Sequence, residues 1–255
     1  GVLVTCGATE AIAVALLGLL EPGDEVVLFE PFYDSYPAVL AMAGAVPRFV
    51  TLRFPDFALD EDALRTQLSD KTRMIVLNTP HNPTGKVFTR AELDVIAKVA
   101  EERDLLVLSD EVYEHLTFDD AEHVPFATLP GMFERTLTAS SAGKTFSFTG
   151  WKIGWACGPE DLVAAVRTAK QFLTFVNGAP FQPAIACDRA TRTSARAASA
   201  SACTAARSGR LRTAIAMMVS TLAVTMATES VDGSCGTSTR VFAGSPMLTA
   251  TPPRE

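Results

Sequence analysis

The 255-residue chain reads as an α/β protein: a mostly parallel sheet flanked by helices. Three observations predict this. Short, continuously apolar runs alternate with longer amphipathic stretches, the pattern of strands buried on both faces by crossover helices. The amphipathic stretches open on recognisable caps. Polar residues close the apolar runs, and in open α/β sheets ligands bind outside the carboxyl ends of the strands.

In chain order, Gly1-Val2-Leu3-Val4-Thr5-Cys6-Gly7 reads as a strand already in progress, which predicts a natural N-terminus further upstream. Residues 9–20 form an apolar helix that ends at Glu21-Pro22-Gly23. Strands are expected at 25–30, 74–78, 105–109, 136–140 and 152–157. Thr89-Arg90-Ala91-Glu92 is a capping box, and Leu93, Ile96, Ala97 and Ala100 follow on one helical face. A second sheet-covering helix is expected from Pro159, with Leu162, Ala165, Val166, Ala169 and Leu173 inward. Beyond Ala186 the composition changes: Ala, Ser, Thr and Arg dominate, no lysine follows Lys170, and Phe242 is the sole aromatic residue. A low-complexity tail and an out-of-frame translation of a GC-rich gene compete for this segment. The abrupt switch favours the second. The chain is therefore divided into 1–186, a partial globular domain, and 187–255, an aberrant tail.

With 48% hydrophobic residues, 20% charged residues and a net charge of −7, the composition fits an acidic globular protein with no nucleic-acid partner. The longest apolar run, 11–20, is too short to span a bilayer and no signal sequence precedes it, so a cytoplasmic protein is expected. Cys6, Cys157, Cys187, Cys203 and Cys235 show no paired spacing and are read as reduced thiols.

Three polar segments stand out. Asn78-Thr79-Pro80-His81-Asn82-Pro83-Thr84-Gly85 and Asp110-Glu111-Val112-Tyr113 each close an apolar run, and the segment 140–152 presents Lys144 in a Ser/Gly/Thr-rich loop with Lys152 eight residues on. Gly7-Ala8-Thr9 is a glycine turn into a helix N-terminus, a natural anion site or a plain cap. Singly, each residue has a plainer role: Asp110 as a cap, Asn82 as a turn residue, Tyr33 and Tyr113 as packing, Lys144 as a surface charge. Together they point to a small-molecule site. Ser141 and Lys144 also satisfy the S-x-x-K of serine acyl-transfer enzymes, but no Ser-Asp-Asn or Lys-Thr-Gly accompanies them. His81, His115 and His123 lack metal-ligand spacing, so no metal is expected, and Glu111 and Glu114 read as surface charges.

In "SAGKTFSFTGWKIGW", "EPFYDSY" and the constellation of Asn82, Asp110, Tyr113 and Lys144, the chain resembles the fold-type I, pyridoxal-phosphate-dependent aminotransferases of class I/II. It is most similar to the kynurenine, methionine and N-succinyldiaminopimelate subgroup, from Gly1 to about Ala186. The resemblance implies a partial aspartate aminotransferase-like large domain that binds pyridoxal 5′-phosphate. It implies Lys144 as the catalytic lysine, bonded to the cofactor and moving the proton at the substrate Cα. Asp110 would keep the ring nitrogen protonated, Tyr113 and Asn82 would bond the 3′-oxygen, and Asn82 would also meet substrate. Tyr33 would stack on the ring, while Gly7, Ala8, Thr9, Ser141 and Lys152 would hold the phosphate. The implied reaction passes an amino group to a 2-oxo acid such as 2-oxoglutarate, in a homodimer. A C–S β-lyase and a non-catalytic remnant are the alternatives, because no residue matches the family's substrate-carboxylate arginine.

Overall fold

The structure, a computed structural model, describes residues 1–186; the expectations for 187–255, including Cys187, Cys203 and Cys235, lie outside them. Its sheet is built from β1 (Val2–Cys6), β2 (Glu25–Glu30), β3 (Val46–Thr51), β4 (Thr72–Asn78), β5 (Leu106–Asp110), β6 (Thr136–Ser141) and β7 (Ile153–Cys157), in the order β1-β7-β6-β5-β4-β2-β3. Only β7 runs against its neighbours, so the expectation of a mostly parallel sheet holds.

The strands alternate their side chains between two apolar layers, as period-2 geometry requires. Val26, Leu28, Met74, Val76 and Leu108 pack beneath α1 (Gly7–Leu19), α2 (Ser35–Ala43) and α6 (Glu160–Gln171). Val27, Phe29, Ile75, Leu77 and Val107 meet α3 (Glu61–Thr66) and α4 (Arg90–Glu102) on the opposite face. Burial on both faces explains the uninterrupted apolar runs. The α4 capping box forms as expected, with Thr89 Oγ1 accepting from Glu92 N and Glu92 Oε2 from Thr89 N.

Several boundaries differ from the sequence expectation. β5 runs one residue later than expected and ends on Asp110 itself. Lys152 precedes β7 in a left-handed conformation, φ 54° and ψ 45°, rather than opening the strand. Pro159 is the extended N-cap of α6, whose buried positions are Val163, Val166 and Lys170; Leu173 lies past the helix end and is 55% exposed. Strand β3 and helices α2 and α3 escaped prediction.

Candidate active site

Register aligns the chemistry. Asn78 ends β4 directly beside Asp110 at the end of β5, and Ser141 at the end of β6 lies beside Gly154 of β7, which in turn pairs with Thr5 of β1. Above this row lies one cavity of about 200 Å³. It is lined by Gly7, Ala8 and Thr9, by Tyr33 and Tyr36, by Asn78 and Asn82, by Asp110 and Tyr113, and by Ser141, Lys144 and Lys152. All ten residues singled out from the sequence therefore meet in one place.

The floor is a closed hydrogen-bond system. Asn78 Nδ2 donates to the Asp110 carbonyl at 3.0 Å, while its Oδ1 accepts Asn82 N at 2.7 Å, which fixes the turn that carries Asn82. His81 braces the same turn through Thr84 Oγ1 at 2.7 Å, and burial pushes its pKa down to about 4, so it acts as a neutral spacer. The Asp110 carboxylate receives the Tyr36 hydroxyl on Oδ2 at 2.7 Å and Val112 N on Oδ1 at 3.3 Å. Burial nevertheless wins and pushes the Asp110 pKa up to about 6, against the pull of those two donors. A cation placed beside Asp110 would reverse that shift.

The opposite end is built from donors. α1 starts at Gly7, with φ +72°, and Cys6 supplies no side-chain cap, so the first-turn N–H groups face outward without an intrahelical partner. Thr5 Oγ1 donates to the Gly7 carbonyl at 2.8 Å and fixes the turn from below. A Cβ on Gly7 would lie 3.7 Å from Lys152 Cδ, so the lysine stem runs alongside the turn. Gly154 permits this arrangement: a Cβ there would strike the Gly7 carbonyl carbon and lie 2.7 Å from Ala8 N. Lys144, on the short helix α5 (Ala142–Thr145), holds its Nζ 5.6 Å from the centre of the Tyr113 ring. Tyr33 meets Tyr36 edge-on at 5.7 Å.

Among the cavity residues missed in the sequence are Tyr36 and Asn78, which hold Asp110 and Asn82 in place. Tyr36 lies one helical turn beyond Tyr33, a spacing that offered the signal. The reading of Glu111 as a surface charge is corrected: it is buried and accepts from Ser109 Oγ, Phe126 N and His123 Nε2. Glu114 is half-buried and accepts from Ser140 Oγ at 3.3 Å. Ligand atoms of Glu111, Glu114 and His123 lie within 4.8 Å of one another, outside the cavity lining, where the Glu111 carboxylate is already engaged by the three donors just named.

A crevice at the carboxyl ends of parallel strands, with a helix N-terminus and a lysine at one end, a buried carboxylate at the other and a second lysine on its wall, is the arrangement of an α/β small-molecule enzyme site. The particular family follows from comparison: the model of the aminotransferase class I and II family matches residues 1–235, and the chain belongs to that family. It is 61% identical over 188 residues to a probable N-succinyldiaminopimelate aminotransferase of Mycobacterium tuberculosis, covering 72% of this chain and 47% of that protein. It is 47% identical over 195 residues to kynurenine–oxoglutarate transaminase 3 of Rattus norvegicus, covering 72% and 43%. The solved N-succinyldiaminopimelate aminotransferase from Mycobacterium tuberculosis superimposes with a TM-score of 0.71 at 58% identity, over 77% of this chain and 54% of that one. The chain spans about half the length of the curated relatives it matches. Membership sets aside the serine acyl-transfer reading of Ser141 and Lys144.

Proposed function

We propose that the protein is a pyridoxal-phosphate-dependent transaminase that moves an amino group from an amino acid to a 2-oxo acid such as 2-oxoglutarate. The observation that carries this reading is the polarity of this cavity, donor-rich at Gly7–Thr9 and Lys152, carboxylate-based at Asp110, with Lys144 on its wall. A ring bearing a phosphate and a basic nitrogen at opposite ends matches that polarity. When bound, pyridoxal phosphate supplies an electron sink that makes the Cα–H bond of an attached amino acid labile.

The chain's own residues then divide the work. The first-turn N–H groups of α1, Ser141 and Lys152 bind the phosphate. Asp110 stays ionised opposite a cationic ring nitrogen and keeps its proton in place, with Tyr36 orienting the carboxylate. Tyr33 would cover the cofactor and exclude water, while Asn82 and Tyr113 would supply hydrogen-bond donors to it. Lys144 would hold the cofactor and would move a proton at the substrate Cα. The greater identity to the N-succinyldiaminopimelate enzyme than to the kynurenine enzyme favours N-succinyldiaminopimelate as donor. Among the described residues no helix is long and apolar enough to cross a membrane. A cytoplasmic homodimer completes the proposal and rests on the family.

The test adds pyridoxal phosphate to the full chain and follows the visible absorbance, which N-succinyldiaminopimelate should bleach and 2-oxoglutarate restore. Lys144→Ala should remove all borohydride-reducible linkage from protein that still folds. A reducible linkage that survives the substitution would show that another lysine does this work.

A further inference from the structure

A carboxylate lies on the same first helical turn that is proposed to bind the phosphate, outside the cavity itself. Glu10 lies in the first turn of α1, only three residues after Gly7, and is 7% exposed. A negative charge there is favoured by the helix dipole but repels any anion drawn to the neighbouring N–H groups. Its two oxygens are both engaged. Oε2 accepts Cys6 N at 2.5 Å and lies 3.6 Å from Lys170 Nζ, while Oε1 accepts Thr174 Oγ1 at 2.5 Å.

Lys170 comes from the last turn of α6 and is itself 4% exposed. Its ammonium donates to Thr174 Oγ1 at 2.7 Å and to the Phe175 carbonyl at 3.2 Å. α6 also packs closely on the far end of α1 at Gly18, where a Cβ would lie 3.3 Å from both the Ala165 carbonyl and Ala169 Cβ. Neither Glu10 nor Lys170 lines the cavity. A buried ion pair is a costly way to hold two helices together, since apolar residues do that as well. Its placement against the anion turn gives it a further use.

We infer that Lys170 is a positioning residue for the phosphate site, cancelling the charge of Glu10 so that this carboxylate clamps the Cys6 N–H and shapes the Gly7 turn without repelling a bound phosphate. The inference rests on the proposed phosphate position at Gly7–Thr9. Charge and clamp are separable. Glu10→Gln keeps a side-chain oxygen for Cys6 N and removes the negative charge, whereas Lys170→Met exposes that charge.

The two substitutions therefore move phosphate affinity in opposite directions. With the full 255-residue chain, Lys170→Met should weaken binding of pyridoxal phosphate and of competing inorganic phosphate about tenfold, and pyridoxal, which lacks the phosphate, by less than about twofold. Glu10→Gln should tighten inorganic phosphate binding about threefold, and Glu10→Gln combined with Lys170→Met should return it to within about twofold of the parent. A purely architectural pair would weaken all three ligands in both single variants, and that result overturns the inference. If Lys170→Met does not fold, the sign of the Glu10→Gln effect decides: weaker phosphate binding overturns the inference, tighter binding supports it. Failure of the underlying reading looks different: the parent chain would not prefer pyridoxal phosphate to pyridoxal, and Lys152→Ala would leave phosphate binding unchanged. Either result removes both claims.

Discussion

The two ends of the cavity solve opposite electrostatic problems by opposite means. At the Gly7 end the donors are backbone N–H groups and a lysine beside a turn fixed from below by Thr5, and the one buried carboxylate near them, Glu10, is paired with Lys170. At the Asp110 end a carboxylate is already withdrawn from water, and its pKa near 6 records the cost. The anion end is preorganised by shape and the cation end by stored electrostatic strain. Substitutions at the first should therefore act on binding, and substitutions at the second on both stability and chemistry.

Asp110→Asn breaks the contrast most severely. Activity should fall by more than about 100-fold, because the cation end then holds no charge. The cofactor-free protein should respond in the other direction. A carboxyl that titrates near 6 in the fold and at 3.8 in the unfolded chain contributes stability in full below 3.8, and loses it as pH rises through 6. Near pH 7.5 the ionised Asp110 costs about 3 kcal/mol relative to low pH, so the variant should gain thermal stability against wild type as pH is raised from 4 to 7.5. Denaturation of both proteins across that range checks this; an unchanged difference would remove the strain argument.

Gly154→Ala attacks the other end without touching a charge. The added methyl meets the backbone of Gly7 and Ala8, which cannot swing aside as a flexible side chain would. Stability should drop by about 3 kcal/mol and pyridoxal phosphate should bind about tenfold more weakly, with pyridoxal far less affected. Equal losses for the two ligands would show a general unfolding instead of a displaced turn.

Tyr36→Phe sharpens the comparison most gently. Removing the hydroxyl that donates to Asp110 Oδ2 raises the carboxyl pKa further, so the acid limb of the activity profile should move to higher pH with a loss of about three- to tenfold at neutrality. An unmoved acid limb would assign Tyr36 a packing role only.

The parts of this molecule that were legible in the sequence are those whose neighbours are near in the chain. β2 was placed to the residue, and β4, β5 and β7 to within two, because burial on both faces leaves an unbroken apolar run. β3 was hidden because it is an edge strand in which Pro47 and Arg48 interrupt the pattern. α3 is short and depends on its Asp60 cap, which accepts from Asp62 N and Ala63 N. Asn82, Asp110 and Lys144 were legible as polar punctuation after strands, whereas Tyr33 and Lys152 drew their expected roles from the family resemblance, Lys152 standing before its strand. Glu111 was misread because its partners, His123 and the Phe126 amide, come from a later loop. Glu10 carried no signal either, as the lysine that balances it arrives from the far end of the domain.

The reversed direction of β7 has a consequence for how such a site can vary. Every other strand beside the cavity offers only the loop that leaves it, but β6 and β7 run oppositely and share one connection at the ligand edge. That single stretch of chain delivers Ser141, Lys144 and Lys152. The distance between the proposed point of covalent attachment and the proposed anion contact is thus written into the length of one loop. An insertion there would pass unnoticed by the sheet and still put the two lysines out of step with the same ligand.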